Sequence, residues 1–326
     1  MTAQPPTVVV LHGGSHPPAM TRIEQLADVR YATEDELASA LPGADVLFVW
    51  DFRSEAVQAA WPAADSLRWM HAASAGVDRM LFPELVDSGV VLTNSRGVFD
   101  RPMAEYVLAT VLSFAKDLHT SVRLQDRKQW QHRETERVAG KRALVVGTGP
   151  IGRAIAAQLS AAGLSVTGAG RRARTGDPDF GTVHCSDELH PVLGEFDYVV
   201  LAAPLTEQTR GLVDARALAR FKPTARLINV GRGELVVQDE LVEALSAGQL
   251  SGAALDVFDT EPLPATSPLW EMPEVLVSPH MSGDTVGWTD ELVELFLTNL
   301  RGYVEGAWPH NVVDKQRGYV TERVHG

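Results

Sequence analysis

Short apolar runs alternate with amphipathic stretches along almost the whole chain, and that alternation restricts the fold to one class. In the first third the runs are Thr7–His12, Asp45–Trp50, Leu67–Ala72 and Val90–Asn94, with helically patterned segments such as Glu34–Leu41 between them. A second series begins near Arg142, with Ala143–Gly147, Ser165–Ala169, Tyr198–Ala202, Arg226–Val230, Ala253–Val257 and Val275–Ser278. Strands separated by helices imply parallel sheets covered on both faces. The chain is therefore expected to be α/β, with residues 1 to about 98 as one unit and a doubly wound sheet of six or seven strands after it. A length of 326 residues agrees with two domains.

The boundary between the two series reads as a helix. Asp100 is a plausible N-cap and Pro102 falls in the first turn. Met103, Val107, Leu108, Val111, Leu112 and Ala115 mark a broad apolar stripe. It fits a core helix and an interdomain or dimer-interface helix equally well. Ser121–Val138 is polar around Trp130 and reads as an exposed connection, with Trp130 either a packing anchor or a residue reaching a partner subunit. Leu292, Leu295, Phe296 and Leu300 mark a last amphipathic helix.

Composition excludes several functions. The chain has 29 Lys and Arg against 42 Asp and Glu, a net charge of −13. Nucleic-acid and anionic-membrane partners are disfavoured, because both need clustered basic residues. The N-terminus lacks the pattern of a signal peptide, and no apolar run approaches a membrane span. Cys185 is the only cysteine, so no intrachain disulfide or multi-cysteine metal site is expected, and a reducing cytoplasm is the predicted location.

Residues 143–152 read ALVVGTGPIG, an apolar run leading through Gly147, Gly149, Pro150, Ile151 and Gly152 into a helical pattern. Gly147 permits the tight turn, Gly149 lets backbone approach a pyrophosphate, and Gly152 lets helix pack on strand. The helix N-terminus adds free N–H groups and a positive dipole end. About 20 residues on, where an NAD site places a carboxylate for the ribose, stands Gly170, and no acid occurs between Gly152 and Asp177. Arg171, Arg172 and then Arg174 follow instead. A guanidinium can grip a 2′-phosphate that a carboxylate would repel. NADP(H) is therefore the preferred cofactor and NAD(H) the alternative.

Three further motifs sit at strand ends of the second series. RLINVGRGELV presents Arg232 between Gly231 and Gly233. ALDVFDTEPLP carries Asp256 and, flanked by Pro262 and close to Pro264, Glu261. VLVSPHMSG carries His280. Each alone fits a surface turn or a structural residue. Together they match the needs of hydride reduction of a 2-keto acid: a cation for the carboxylate and carbonyl, an acid for the forming alkoxide, and a carboxylate to orient that acid.

The order GxGxxG, NVGRG, DVFxxEPLP, SPHxSG resembles the D-isomer-specific 2-hydroxyacid dehydrogenase family over nearly the whole chain. The resemblance implies Arg232 as the substrate-carboxylate and carbonyl ligand, His280 as general acid/base and Glu261 as its partner. It implies that Ser74, Ala75 and Gly76, in the SAGVD loop, offer backbone N–H groups to the substrate. Pro204 and Thr209 of PLTEQTRGL would lie beside the cofactor, and Asp256 near the nicotinamide. The family's fold implies a Rossmann cofactor domain, 99–285, inserted into a discontinuous flavodoxin-like substrate domain, 1–98 and 286–326, with the active site in a hinged cleft. Members are commonly homodimers through the helix after Asp100.

Departures point to a branch. The missing acid moves the chain toward the NADPH-using glyoxylate and hydroxypyruvate reductases. Glu261 stands where formate dehydrogenases resemble one another in having Gln, and the SAGVD loop lacks the Lys of phosphite dehydrogenases. A C-terminal regulatory extension of the phosphoglycerate dehydrogenase kind is not expected. Arg96 replaces a usual Pro without an evident reason. Trp50, Trp288 and Met281 are pocket candidates, with a core role as the alternative for the tryptophans. The competing readings are a nucleotide-sensing interaction protein, which the Arg–Glu–His set disfavours, and a family dehydrogenase of a different substrate.

Overall fold

Val8, Val9, Val10 and Leu11 are all fully buried, which a strand achieves only when both sheet faces are covered. In the computed structural model, which describes residues 4–321, this run is β1 (Thr7–Leu11). The chain divides into two units, one formed up to Phe99 and from Thr285 on, the other by Asp100–Asp284.

In the first unit β1 joins β2 (Asp28–Ala32), β3 (Val46–Val49), β4 (Trp69–Ala72) and β5 (Val91–Thr93) in a parallel sheet of order β2-β1-β3-β4-β5. This is the flavodoxin-like order. Side chains alternate between two layers. Val9, Leu11, Leu47, Val49, Met70 and Leu92 pack with Leu37, Leu41, Val57 and Leu85. On the other face Phe296, from the helix Trp288–Val304, stacks on Phe48 with centroids 4.0 Å apart and on Trp69 at 5.2 Å. That helix buries Leu292, Val293, Phe296, Leu297 and Leu300. Burial of this apolar stripe is what returns the end of the chain to the first unit. β2 is absent from the apolar runs because it is an edge strand, half exposed, with only Val29 and Tyr31 marking its alternation.

His71 of β4 is fully buried beneath these rings. Its Nδ1 lies 2.7 Å from Thr93 Oγ1, which accepts the Trp69 indole N–H at 2.8 Å. Burial pushes the imidazole down to about 3. An unfolded chain takes up a proton near pH 6.5 that the folded unit refuses. The stability His71 contributes is thus complete above about pH 6.5 and is lost toward pH 3, by about 1.4 kcal/mol per pH unit at most. Chemical-unfolding midpoints should fall between pH 7 and pH 5, and the fall should be smaller in His71→Gln; equal pH dependence in both would contradict this.

The second unit holds β6 (Arg142–Val146), β7 (Ser165–Gly170), β8 (Arg174–Asp177), β9 (Gly181–Cys185), β10 (Tyr198–Leu201), β11 (Arg226–Asn229), β12 (Gly252–Leu255) and β13 (Val275–Val277). Their order is β13-β12-β11-β10-β6-β7-β9-β8, parallel except for β8 against β9. From β6 the chain winds outward through β7 and β9, then restarts at β10, which is Rossmann topology with its switch point between β6 and β10. Eight strands replace the expected six or seven because the polar, largely exposed β8–β9 hairpin carries no apolar run.

Leu144, Val146, Val199, Leu201 and Leu227 face one core layer; Ala143, Val145, Tyr198, Val200 and Ile228 face the other. The helix Asp100–Ala115 belongs to the second layer, burying Ala104, Val107, Val111 and Phe114 beside Ile155 and Leu159 of the helix Pro150–Ala161. Its apolar stripe is thus a core stripe. Asp100 is its first residue. The polar connection is partly helical, at Leu118–Asp126, and Trp130 is fully exposed among the described residues. No helix among the described residues is long and apolar enough to cross a membrane.

Candidate functional site

The glycine turn lies at the switch point of the second sheet. Gly147 adopts φ +112°, and a Cβ there would come 2.5 Å from the Ala202 carbonyl oxygen at the end of β10. A Cβ on Gly152 would lie 1.8 Å from the Gly147 carbonyl oxygen. Both positions exclude any side chain. Gly149, by contrast, faces open space. Pro150 is the first residue of the helix Pro150–Ala161, and Ile151 and Gly152 follow in its first turn, where N–H groups have no intrahelical acceptor. The turn is thus a cradle open on the side where an anion would sit.

Gly170 ends β7 beside this turn, its absent Cβ 3.0 Å from Thr148 Oγ1. Arg171 and Arg172 follow on an exposed bend. Arg174 does not join them. Its guanidinium bonds Asp177, with Nη2–Oδ2 at 2.7 Å. Asp177 also accepts from Arg153 at 3.1 and 3.2 Å, while Arg153 reaches Asp179 as well. Burial alone would raise the Asp177 carboxyl, but the Arg153 and Arg174 bonds outweigh it and hold the group far below the usual carboxylate range. The basic cluster is therefore reduced to Arg171 and Arg172, and the first acid after the turn is engaged by two guanidinium groups.

After β10, Thr209 Oγ1 donates to the Pro204 carbonyl at 2.7 Å and accepts from Thr206 N–H at 2.8 Å. This closes a compact loop that leaves Pro204 exposed.

After β11, Asn229 shapes the turn of Arg232. Its Nδ2 donates to the Arg232 carbonyl at 2.8 Å, and its Oδ1 accepts from Gly231 N–H at 3.1 Å. A Cβ on Gly233 would lie 2.0 Å from the Phe258 carbonyl carbon, so only glycine lets this turn meet the chain leaving β12. The two glycines around Arg232 thus have a packing cause.

After β12 and β13 come the acid groups. His280 Nδ1 lies 2.8 Å from Glu261 Oε2, and Glu261 Oε1 accepts from Phe258 N–H at 3.0 Å. The Glu261–Pro262 bond is cis. A carboxylate only accepts, so Nδ1 carries the proton and Nε2 remains for other chemistry. The His280 side chain is 34% exposed, so a small molecule can reach it. Its backbone is left-handed, φ +52°, an uncommon conformation for a residue with a Cβ.

Asp256 follows β12 directly. It is fully buried, and its oxygens accept from Ser278 Oγ at 2.5 Å, Met281 N–H at 3.0 Å and Ser282 N–H at 2.9 Å. With three bonds from its own chain, the carboxylate supports the His280 turn.

In the first unit, the loop after β4 turns its carbonyls inward. Ser74, Ala75 and Gly76 accept from Ser95 N–H, Asn94 Nδ2 and Ser74 Oγ at 2.8, 2.5 and 2.6 Å. Trp50 packs its edge on Phe48 and Trp288 lies tilted against Phe99, both half-buried, while Met281 is exposed. Arg96 reaches the Val320 carbonyl at 3.4 Å. No group of three or more metal-ligating side chains occurs among the described residues.

A glycine turn at the switch point of a doubly wound parallel sheet defines a nucleotide-binding α/β protein. Residues 108–282 match the family model of the D-isomer specific 2-hydroxyacid dehydrogenase, NAD binding domain. Glyoxylate/hydroxypyruvate reductase B of Pectobacterium carotovorum is 33% identical over 261 residues, 78% of this chain and 81% of that protein. A D-isomer specific 2-hydroxyacid dehydrogenase from Xanthobacter autotrophicus, solved with NADPH and MES, is 30% identical with a TM-score of 0.81, covering 97% of this chain and 100% of that one. An NADPH-dependent glyoxylate/hydroxypyruvate reductase from Sinorhizobium meliloti, solved with NADP and sulfate, is 27% identical with a TM-score of 0.82 and the same coverage. The chain belongs to the D-isomer specific 2-hydroxyacid dehydrogenase family of oxidoreductases.

Proposed function

We propose that this protein reduces a small 2-keto acid, such as glyoxylate or hydroxypyruvate, to the D-2-hydroxy acid with NADPH. The observation that carries the reading is the Glu261–His280 pair, 2.8 Å apart, on a left-handed turn of the same unit that presents Arg232. Arg232 binds the keto-acid carboxylate and polarises the carbonyl. His280 delivers its proton to the oxygen of the reduced carbonyl, and Glu261, accepting from Nδ1, fixes its ring. The bound nicotinamide cofactor supplies the hydride. In this reading Asp100–Asp284 is the cofactor domain and the remainder the substrate domain. A panel of 2-keto acids, with NADPH consumption followed optically, tests it.

The cradle of Gly147, Gly149, Pro150, Ile151 and Gly152 fits a pyrophosphate, and Arg171 and Arg172 fit a 2′-phosphate beside it. Pro204 and Thr209 shape a neighbouring wall. Replacing both arginines by alanine should weaken NADPH binding by about tenfold or more, equivalent to about 1.4 kcal/mol, and leave NADH binding nearly unchanged. Equal losses for the two cofactors, or NADH binding as tight as NADPH in the parent protein, would overturn the assignment.

The working form is a homodimer of the reducing cytoplasm, with neither nucleic acid nor membrane as partner. Trp130, Leu118 and Val122 are 102%, 51% and 59% exposed, an apolar surface suited to a second copy. Light scattering should report a dimer, and Val122→Asp with Trp130→Ser should give monomers. A monomeric parent protein would contradict it.

A further inference from the structure

The Asp256 carboxylate gathers both sides of the His280 turn: Ser278 from before it, Met281 and Ser282 from after it. A fourth residue reaches this node from elsewhere in the unit. Tyr106, on the helix Asp100–Ala115, places its hydroxyl 2.5 Å from Ser278 Oγ across 172 residues of sequence. Donor counting orders the chain. A carboxylate accepts only, so Ser278 gives its single hydroxyl proton to Asp256, and its oxygen is left to accept from Tyr106. The sequence is Tyr106 O–H to Ser278 O–H to Asp256.

We propose that Tyr106 is a positioning residue for His280, acting through Ser278 and Asp256. His280 keeps its left-handed backbone only while its neighbours over-determine it. Ser278 is the residue through which the strand side of the turn is tied to Asp256, and Tyr106 stops the Ser278 hydroxyl from rotating away. The helix that supplies Tyr106 begins where the chain leaves the first unit, and the turn ends shortly before the chain returns to it after Asp284. The Asp256 node therefore fastens both of those segments within the second unit. Tyr106 sits in a mostly buried position, where burial raises its phenol, and it remains a donor across the working pH range.

The proposal rests on the reading of His280 as general acid. Steady-state kinetics of the full-length enzyme with NADPH and glyoxylate test it. Tyr106→Phe removes only the hydroxyl and should lower kcat by about tenfold, since small misplacements of a reacting group cost up to about 10²-fold. KM for glyoxylate and Kd for NADPH should change by less than about twofold, because the variant keeps the buried ring and removes only a hydroxyl bonded to Ser278. Ser278→Thr, which keeps a hydroxyl, should retain most of the rate that Ser278→Ala loses. The double variant Tyr106→Phe with Ser278→Ala should be no slower than Ser278→Ala alone, as expected for two links of one chain. Unchanged kcat in Tyr106→Phe, a parallel change of kcat and KM, or fully additive losses would each overturn the proposal. Retained activity in His280→Ala would instead overturn the general-acid reading itself, so the two failures are distinguishable.

Discussion

His280→Ala is expected to lower kcat for keto-acid reduction by about 10²–10⁴, the usual worth of a positioned general acid, while NADPH binds as before. The separation follows from the architecture of the second unit. The glycine turn is shaped by contacts among Gly147, Gly152 and Ala202, none of which involves the His280 turn. The imidazole, in contrast, contributes its free Nε2 and its bond to Glu261. Alanine removes both and leaves the backbone bonds of Met281 and Ser282 to Asp256 in place. Glu261→Gln should have a smaller effect, because the amide oxygen can still accept from Nδ1 and fix the ring. Unchanged kcat in His280→Ala would refute the assigned role.

Arg232→Ala is expected to raise KM for the keto acid and to cut kcat by about 10²–10³, the typical loss when one preorganised group facing developing charge is removed. The substitution removes one bond within the turn, from Arg232 Nη1 to the Gly231 carbonyl at 2.8 Å, and leaves the backbone ties of the turn in place. The Arg232 carbonyl still accepts from Asn229, and Gly233 still allows the close approach to Phe258. Arg232→Lys should recover only part of the loss, because an ammonium lacks the planar fork that matches a carboxylate. A lowered melting temperature with unchanged kinetics would make Arg232 a structural residue.

Much of this was readable before any coordinates, for a physical reason. Residues that hold a ligand of a doubly wound sheet sit just beyond the ends of its strands. The apolar runs ending at Gly147, Ala202, Val230, Val257 and Ser278 therefore marked in advance where Gly149, Pro204, Arg232, Glu261 and His280 would stand. Edge elements were less legible. β2 and the β8–β9 hairpin bury too little to leave a pattern, and only the alternating Val29 and Tyr31 and the turn residues Asp177–Gly181 hinted at them. Charge patterning misled at Arg174, whose partner Asp177 is set by the hairpin. The support Asp256 gives the His280 turn is not legible in the sequence, because it depends on where the fold brings Ser278, Met281 and Ser282. Tyr106 left no signal at all. It is one more residue on an amphipathic helix until the fold brings it to Ser278.

The central claim is hydride reduction of a 2-keto acid by an NADPH-using member of this family. Chiral analysis of the product formed from hydroxypyruvate and NADPH tests it most directly. D-glycerate is expected in a one-to-one ratio with NADPH consumed. NADPH that binds but is not consumed by any 2-keto acid would contradict it, and would point instead to a nucleotide-sensing protein built on the same fold.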